Sequence, residues 1–129
     1  MRRVVVLAFV GLLGCSPIET PAVDASSLPD TADTTGPYVV LARVRARRPI
    51  DRVELVFHDV AAGAAAVRVG MSLQDGLWKA SIPGYGRGAR IAWHVEAVDE
   101  EGDRGDAPPE ASSQSGCSAE FCFAVLPPP

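Results

Sequence analysis

Segments in which every second residue is apolar run through most of this chain, a pattern typical of strands with one buried face. Six such segments lie at residues 38–46, 53–57, 67–74, 78–82, 91–97 and 121–125. Between them, Asp75-Gly76 is typical of a tight hairpin and residues 99–106 of an acidic turn. The alanine-rich residues 60–67 have helix propensity, but Gly63 interrupts them and the segment is too short for a stable helix. We therefore expect an all-β fold, an antiparallel sandwich of about six or seven strands.

Three stretches of the chain carry a resemblance to a known class of domain. They read IDRVELVF at residues 50–57, VGMSLQDGLWKASIP at 69–83 and WHVEAVDEEGD at 93–103. Together they resemble the immunoglobulin-like and fibronectin type III-like domains of bacterial surface proteins, in which an aromatic pair precedes a strand ending in Ala-x-Asp-x-x-Gly-Asn. In this chain His94 replaces the second aromatic residue and Asp103 replaces the Asn. The resemblance implies a spacer or recognition module and supplies no catalytic residue, and a fold alone warrants no activity.

The first 15 residues, MRRVVVLAFVGLLGC, have the order of charged, apolar and small residues found in export signals. As a helix, the apolar residues 4–13 would reach about 15 Å, half the hydrocarbon thickness of a bilayer, so we do not expect a transmembrane span. The ending Leu12-Leu13-Gly14-Cys15 resembles the lipobox of bacterial lipoproteins. That resemblance implies that residues 1–14 are a signal peptide and that Cys15 becomes a lipidated N-terminus. A plain secretory signal that ends in Cys is the alternative.

The lipobox also predicts where the protein resides and how the chain is divided. Lipid on Cys15 would anchor the protein to a membrane of the bacterial cell envelope, and Ser16 in place of Asp is compatible with the outer membrane, on its periplasmic or surface side. Residues 15–36 are rich in Pro, Ser, Thr and Asp and lack periodicity, so we expect a disordered tether, with an N-terminal strand within residues 20–28 as the alternative. The sandwich domain is expected at residues 37–126.

The charge of the chain limits its partners. The formal net charge is −4, and loss of Arg2 and Arg3 with the signal peptide would bring the mature chain to about −6. This balance excludes nucleic acid as a partner, because affinity for nucleic acid depends on neutralising phosphates. We expect a partner protein in the envelope, in addition to the membrane itself, and no cofactor.

The three cysteines divide into one lipid site and one pair. Lipid on Cys15 leaves Cys117 and Cys122, for which we expect a disulfide in an oxidising compartment. A bridge that closes such a short loop contributes about 2 kcal/mol in the chain-entropy description. It would hold the last strand onto its sheet.

One polar face of the predicted sandwich carries candidate metal ligands. If the strands at residues 50–59 and 90–99 are antiparallel neighbours, four side chains point the same way: Glu54, His58, His94 and Glu96. Two imidazoles and two carboxylates suit zinc, and with an open coordination position they could support hydrolysis. The alternative is a solvated face whose opposite charges pair across strands. The second interpretation is favoured, so we expect neither a metal site nor catalytic residues.

Candidate binding residues are few. Trp78 and Trp93 fall on the apolar side of their strands, so we expect them in the core rather than on a platform for sugar rings. Tyr85, at a loop tip, is the better candidate for a contact residue. A group of arginines is expected to form a solvated strand face, with anionic headgroups or an acidic partner as alternatives. Its members are Arg43, Arg45, Arg47, Arg48, Arg52 and Arg68.

These features favour one function over two alternatives. We expect a lipid-anchored protein of the bacterial cell envelope whose single sandwich serves as a non-catalytic binding, spacer or scaffold module. One alternative is a small metal-dependent hydrolase that uses the His/Glu face. The other is a carbohydrate-binding module, which would need at least two exposed, coplanar aromatic side chains.

Overall fold

The computed structural model describes residues 20–109, 117 and 119–127. Over these residues the protein is all-β, and two antiparallel sheets pack against each other as a sandwich, which confirms the predicted fold class. The strands of the described part are β1 (Ala22–Ala25), β2 (Tyr38–Arg45), β3 (Ile50–Asp59), β4 (Val67–Gly70), β5 (Ser72–Gln74), β6 (Leu77–Ile82), β7 (Arg90–Asp99), β8 (Arg104–Ala107) and β9 (Phe121–Ala124). No helix within these residues has the length and apolar character needed to cross a membrane.

The two sheets differ in how their strands are paired. The first sheet has four strands in the order β1-β2-β6-β5. In the second sheet β3 and β7 form the central pair, and β4 lies on the far side of β3. Both β8 and β9 pair with the remaining edge of β7, β9 along its first part and β8 along its last part. Strand β7 is therefore paired on both sides along most of its length and is buried from Ile91 to Asp99.

The core lies between the sheets and is formed by the apolar side of the alternating segments. Trp93 on β7 and Phe57 on β3 are its largest fully buried side chains, and Val40 and Ile82 cover them from the first sheet. Full burial of one such side chain contributes roughly 1.5–3 kcal/mol. Trp78 is half-buried and packs against the same core, so both tryptophans lie on the apolar side of their strands, as predicted.

The segment at residues 67–74, predicted as one strand, is divided between the two sheets. Its first half, β4, pairs with β3, and its second half, β5, pairs with β6. Met71 marks the crossing: its side chain is buried, and its amide donates to the carbonyl oxygen of Val53 at 2.8 Å. Val67 and Leu73 are exposed because each half is an edge strand. The prediction of a single strand is therefore wrong here; the division adds one strand to the six predicted segments, and β1 and β8 add two more.

Of two predicted turns, one is confirmed and the other is shorter than predicted. Asp75 and Gly76 have positive φ angles of 52° and 81°, which suits the tight hairpin between β5 and β6. The acidic turn predicted at residues 99–106 ends earlier, because β8 begins at Arg104 and pairs with β7. Strand β8 also contains Gly105, where a side chain would overlap the carbonyl oxygen of Pro21.

Strand β1 lies in the segment predicted as a disordered tether. Ala22 is opposite Arg45 of β2, and the pairing continues to Ala25. Val23 and Leu28 pack against the core. Single apolar residues are too few to order a segment in isolation, but here β2 supplies a backbone partner and the core supplies a surface.

The chain after β1 continues along the sandwich. The amide of Thr31 donates to the carbonyl oxygen of Ala124 at 3.0 Å. The amide of Ala124 in turn donates to Oδ1 of Asp30 at 2.8 Å. The tether predicted for residues 15–36 is therefore wrong from residue 20 onward. The alternative, a strand within residues 20–28, is present, and the sandwich begins before residue 37. The predicted signal peptide and Cys15 lie outside the described residues.

Candidate functional site

The register of β3 and β7 brings the predicted polar residues to one face. Glu54 is opposite Glu96; His94 lies two residues from Glu96 on β7, and His58 lies four residues from Glu54 on β3, so all four point to the same side of the sheet. This face is the outer surface of the second sheet. His94, His58 and Glu96 are buried there, and Glu120, the residue just before β9, lies against His94.

His94 is held between two carboxylates. Its Nδ1 lies 2.6 Å from Oε2 of Glu120, and its Nε2 lies 2.8 Å from Oε2 of Glu96. The side chains of His94 and Glu120 are fully buried. Since a carboxylate only accepts hydrogen bonds, both contacts require a proton, carried either by the two ring nitrogens or by one nitrogen and one carboxyl group. Both nitrogens of His94 are occupied in either case.

Two arginines complete this arrangement by binding Glu96. Nη1 of Arg68 lies 2.8 Å from Oε1 of Glu96, and Nη2 of Arg104 lies 3.4 Å from Oε2. Burial acts to raise the pKa of Glu96, but the hydrogen bonds from Arg68 and His94 and the charges of both arginines outweigh it, so the pKa is lowered. We call the five residues the ion cluster: His94, Glu96, Glu120, Arg68 and Arg104.

His58 lies beside the ion cluster without a hydrogen bond to it. Its Nε2 is 3.9 Å from Oε1 of Glu120, and its Nδ1 has no partner among the described atoms. Glu54 meets Arg68 at 3.2 Å. The four predicted residues therefore share a face, yet within the part of the chain that the structure describes no three His, Cys, Asp or Glu side chains are placed to hold a metal ion.

A disulfide flanks Glu120, the one glutamate of the ion cluster that was not among the residues predicted from the sequence. Cys117 and Cys122 are bonded, with their Cα atoms 5.5 Å apart, and the loop between them carries Glu120. Cys122 lies on β9 opposite Ala92 of β7, two residues before His94. The sequence did contain one indication of this contact. Glu120 lies inside the predicted disulfide loop and directly before β9, the strand that pairs with β7, on which His94 lies.

Tyr85 is a half-buried residue rather than a free loop tip. Its amide donates to the hydroxyl oxygen of Tyr38 at 3.1 Å, and its side chain packs against the core. Burial, together with the charge of Asp59, raises the pKa of Tyr85. A shallow cavity of about 300 Å³ lies beside it. No aromatic side chain in the described residues is exposed, so this part of the chain offers no pair of stacking surfaces for a sugar.

The predicted arginine face is divided between the two sheets. Arg68 binds Glu96, Arg52 lies 3.0 Å from Asp51, and Arg48 lies 2.9 Å from Asp103, all on the second sheet or its connections. The prediction of one arginine face is thus wrong, because the members belong to strands of different sheets. Those on β2, Arg43 and Arg45, point outward from the first sheet and remain together.

No protein-family model matches this chain, and no curated protein matches it. We therefore infer its function from its own residues.

Proposed function

We propose that the protein is a lipid-anchored component of the bacterial cell envelope whose β-sandwich is a non-catalytic binding or spacer module. The observation that carries the proposal is the sequence Leu12-Leu13-Gly14-Cys15, which ends an apolar leader and resembles a lipobox. Lipid on Cys15 would attach the mature chain to a membrane by at least two acyl chains, enough for stable anchoring.

The start of the sandwich supports a short attachment. Ala22, the first residue of β1, follows Cys15 by seven positions, so the chain between them reaches at most about 25 Å. A domain attached in this way would stay close to the headgroups, within reach of neighbouring envelope proteins. The disordered tether expected from composition would have allowed a much longer reach.

The geometry of the ion cluster supports a structural role for its histidine. A general base or a metal ligand needs a nitrogen that faces a substrate or an ion. In His94 both nitrogens face carboxylates, and the ring is fully buried. The contacts of the cluster instead connect β7 to β4, to β8 and to the loop before β9, which favours stabilisation of the second sheet over catalysis.

Metabolic labelling tests the lipid attachment. The full chain would be expressed in a bacterial host supplied with an alkyne analogue of palmitate. We expect the label on the wild-type protein and none on the Cys15→Ala variant, with the intact mass of the mature protein beginning at lipidated Cys15. The matched control is the double variant Cys117→Ser/Cys122→Ser, which should keep the label because it retains the lipid site. A native protein that keeps Met1 and has an unmodified Cys15 would contradict the proposal.

A further inference from the structure

We propose that the outer surface of the first sheet docks on the anionic headgroups of the membrane to which Cys15 is attached. The surface, called here the basic face, consists of Val39, Leu41, Arg43 and Arg45 on β2 and Lys79 on β6. This inference rests on the lipid attachment proposed above, and it adds which side of the domain meets the lipid.

The alternation of β2 creates the basic face. Tyr38, Val40 and Ala42 point into the core, so the residues between them point outward. Val39 and Leu41 are 41% and 46% exposed, and Lys79 is the register partner of Leu41 on the adjacent strand. The face thus presents apolar side chains and long cationic side chains side by side, a combination suited to the interface between headgroups and acyl chains.

The two sheets differ in whether their cationic side chains form ion pairs. Arg43, Arg45 and Lys79 form no ion pair with any residue that the structure describes, whereas Arg52 and Arg68 on the second sheet bind carboxylates. Asp24 of β1 points to the same side as the basic face, because it is opposite Arg43 in the strand register, and it contributes one negative charge there. The face therefore has two net positive charges on a chain whose net charge is −4. Charge complementarity selects an anionic surface as its occupant.

The position of the anchor selects the membrane as that surface. Strand β1 is the edge strand of the first sheet, and Thr20, the first described residue, follows Cys15 by five positions. Fully extended, those five residues reach about 17 Å. A lipid on Cys15 would therefore keep the basic face near the headgroups. An acidic protein would have to compete with a surface that is always present at this distance.

The reactivity of Lys79 measures docking directly, because Lys79 is the only lysine in the chain. The lipidated full chain would be placed in nanodiscs of phosphatidylcholine, with or without phosphatidylglycerol, neither of which has a primary amine. The rate of Lys79 acetylation by an active ester would be followed by peptide mass spectrometry. Each cation near an anionic leaflet favours the docked state by a factor of about five. For a face with two net positive charges this factor is about 25, so we expect acetylation to be about 25-fold slower with phosphatidylglycerol and to recover at high salt, which screens the attraction.

Two charge-reversal variants identify the face. Arg43→Glu/Arg45→Glu should abolish the protection of Lys79 in anionic nanodiscs. Arg87→Glu/Arg90→Glu, which changes the net charge equally at exposed positions outside the first sheet, should keep it. The mass of the N-terminal peptide in the same samples reports the lipid. A bare Cys15 would refute the proposed function, whereas a lipidated Cys15 with equal Lys79 rates in both nanodiscs would refute the docking alone. Protection of Lys79 that requires an added acidic protein would also overturn it.

Discussion

Replacing Glu120 with Ala tests how strongly the ion cluster stabilises the sandwich. Oε2 of Glu120 lies 2.6 Å from Nδ1 of His94, and both side chains are fully buried. The variant would leave Nδ1 without its acceptor in a site closed to bulk water. A hydrogen bond to a charged group contributes about 1.5–3 kcal/mol, and removing one partner of a buried ion pair costs about 3–5 kcal/mol. We therefore expect Glu120→Ala to lower the free energy of unfolding by about 3 kcal/mol or more.

Urea unfolding of the oxidised full chain measures this loss, with the fluorescence of the two tryptophans, buried Trp93 and half-buried Trp78, as the signal. In a domain of about 100 residues the same loss lowers the melting temperature by about 12–20 °C. Glu120→Gln keeps the volume and an acceptor oxygen but removes the charge, so its expected loss is smaller, about 1–2 kcal/mol. Glu101→Ala, in the exposed turn between β7 and β8, is the matched control and should stay within about 0.5 kcal/mol of the wild type.

The ranking of the variants decides the outcome. If Glu120→Ala costs less than about 1 kcal/mol with an unchanged denaturant slope, the contact with His94 does not stabilise the sheet, and the structural role assigned to the ion cluster is refuted. If Glu120→Gln is as damaging as Glu120→Ala, the charge rather than the space-filling side chain accounts for the loss.

Two further predictions concern Glu96 and Gly105. Because the pKa of Glu96 is lower in the folded protein than its ordinary value of 4.5, its contribution is complete above that value and is lost as the pH falls through the folded pKa. The stability difference between wild type and Glu96→Gln should therefore shrink on acidification, and a difference that stays constant from neutral to acid pH would contradict this origin. Gly105→Val should displace the start of β1 and speed hydrogen exchange at Ala22–Ala25, whereas Gly86→Ala, which has open space around it, should not.

The parts of the fold that local pattern determines could be predicted from the sequence. Strands β2, β3, β6 and β7 alternate apolar and polar residues, and the common face of Glu54 and Glu96 followed from pairing β3 with β7. The hairpin at Asp75-Gly76 followed from residues that tolerate positive φ. In each case the neighbouring residues alone set the conformation.

The remaining parts depend on tertiary contacts that no local pattern contains. β1 and β8 have weak strand composition, and each forms because a longer strand offers it an unpaired edge. They also depend on each other, since Gly105 of β8 leaves the space that Pro21 occupies. Likewise, Glu120 reaches His94 because β9 places the disulfide loop over the second sheet, a long-range relation between residues 26 positions apart.

The ion cluster and the basic face lie on the outer surfaces of the two sheets, and these surfaces differ in whether their charged side chains are paired. On the second sheet, His94 and Glu96 lie at outward positions but are buried, and they bind Glu120 and Arg68. On the first sheet, Arg43, Arg45 and Lys79 face outward without ion pairs to the described residues, beside exposed Val39 and Leu41. A surface with satisfied charges gains little by binding a partner, because new contacts would have to replace existing ones. Exposed cations that are hydrated rather than paired give up no carboxylate on binding, which is why the docking proposed above uses the first sheet.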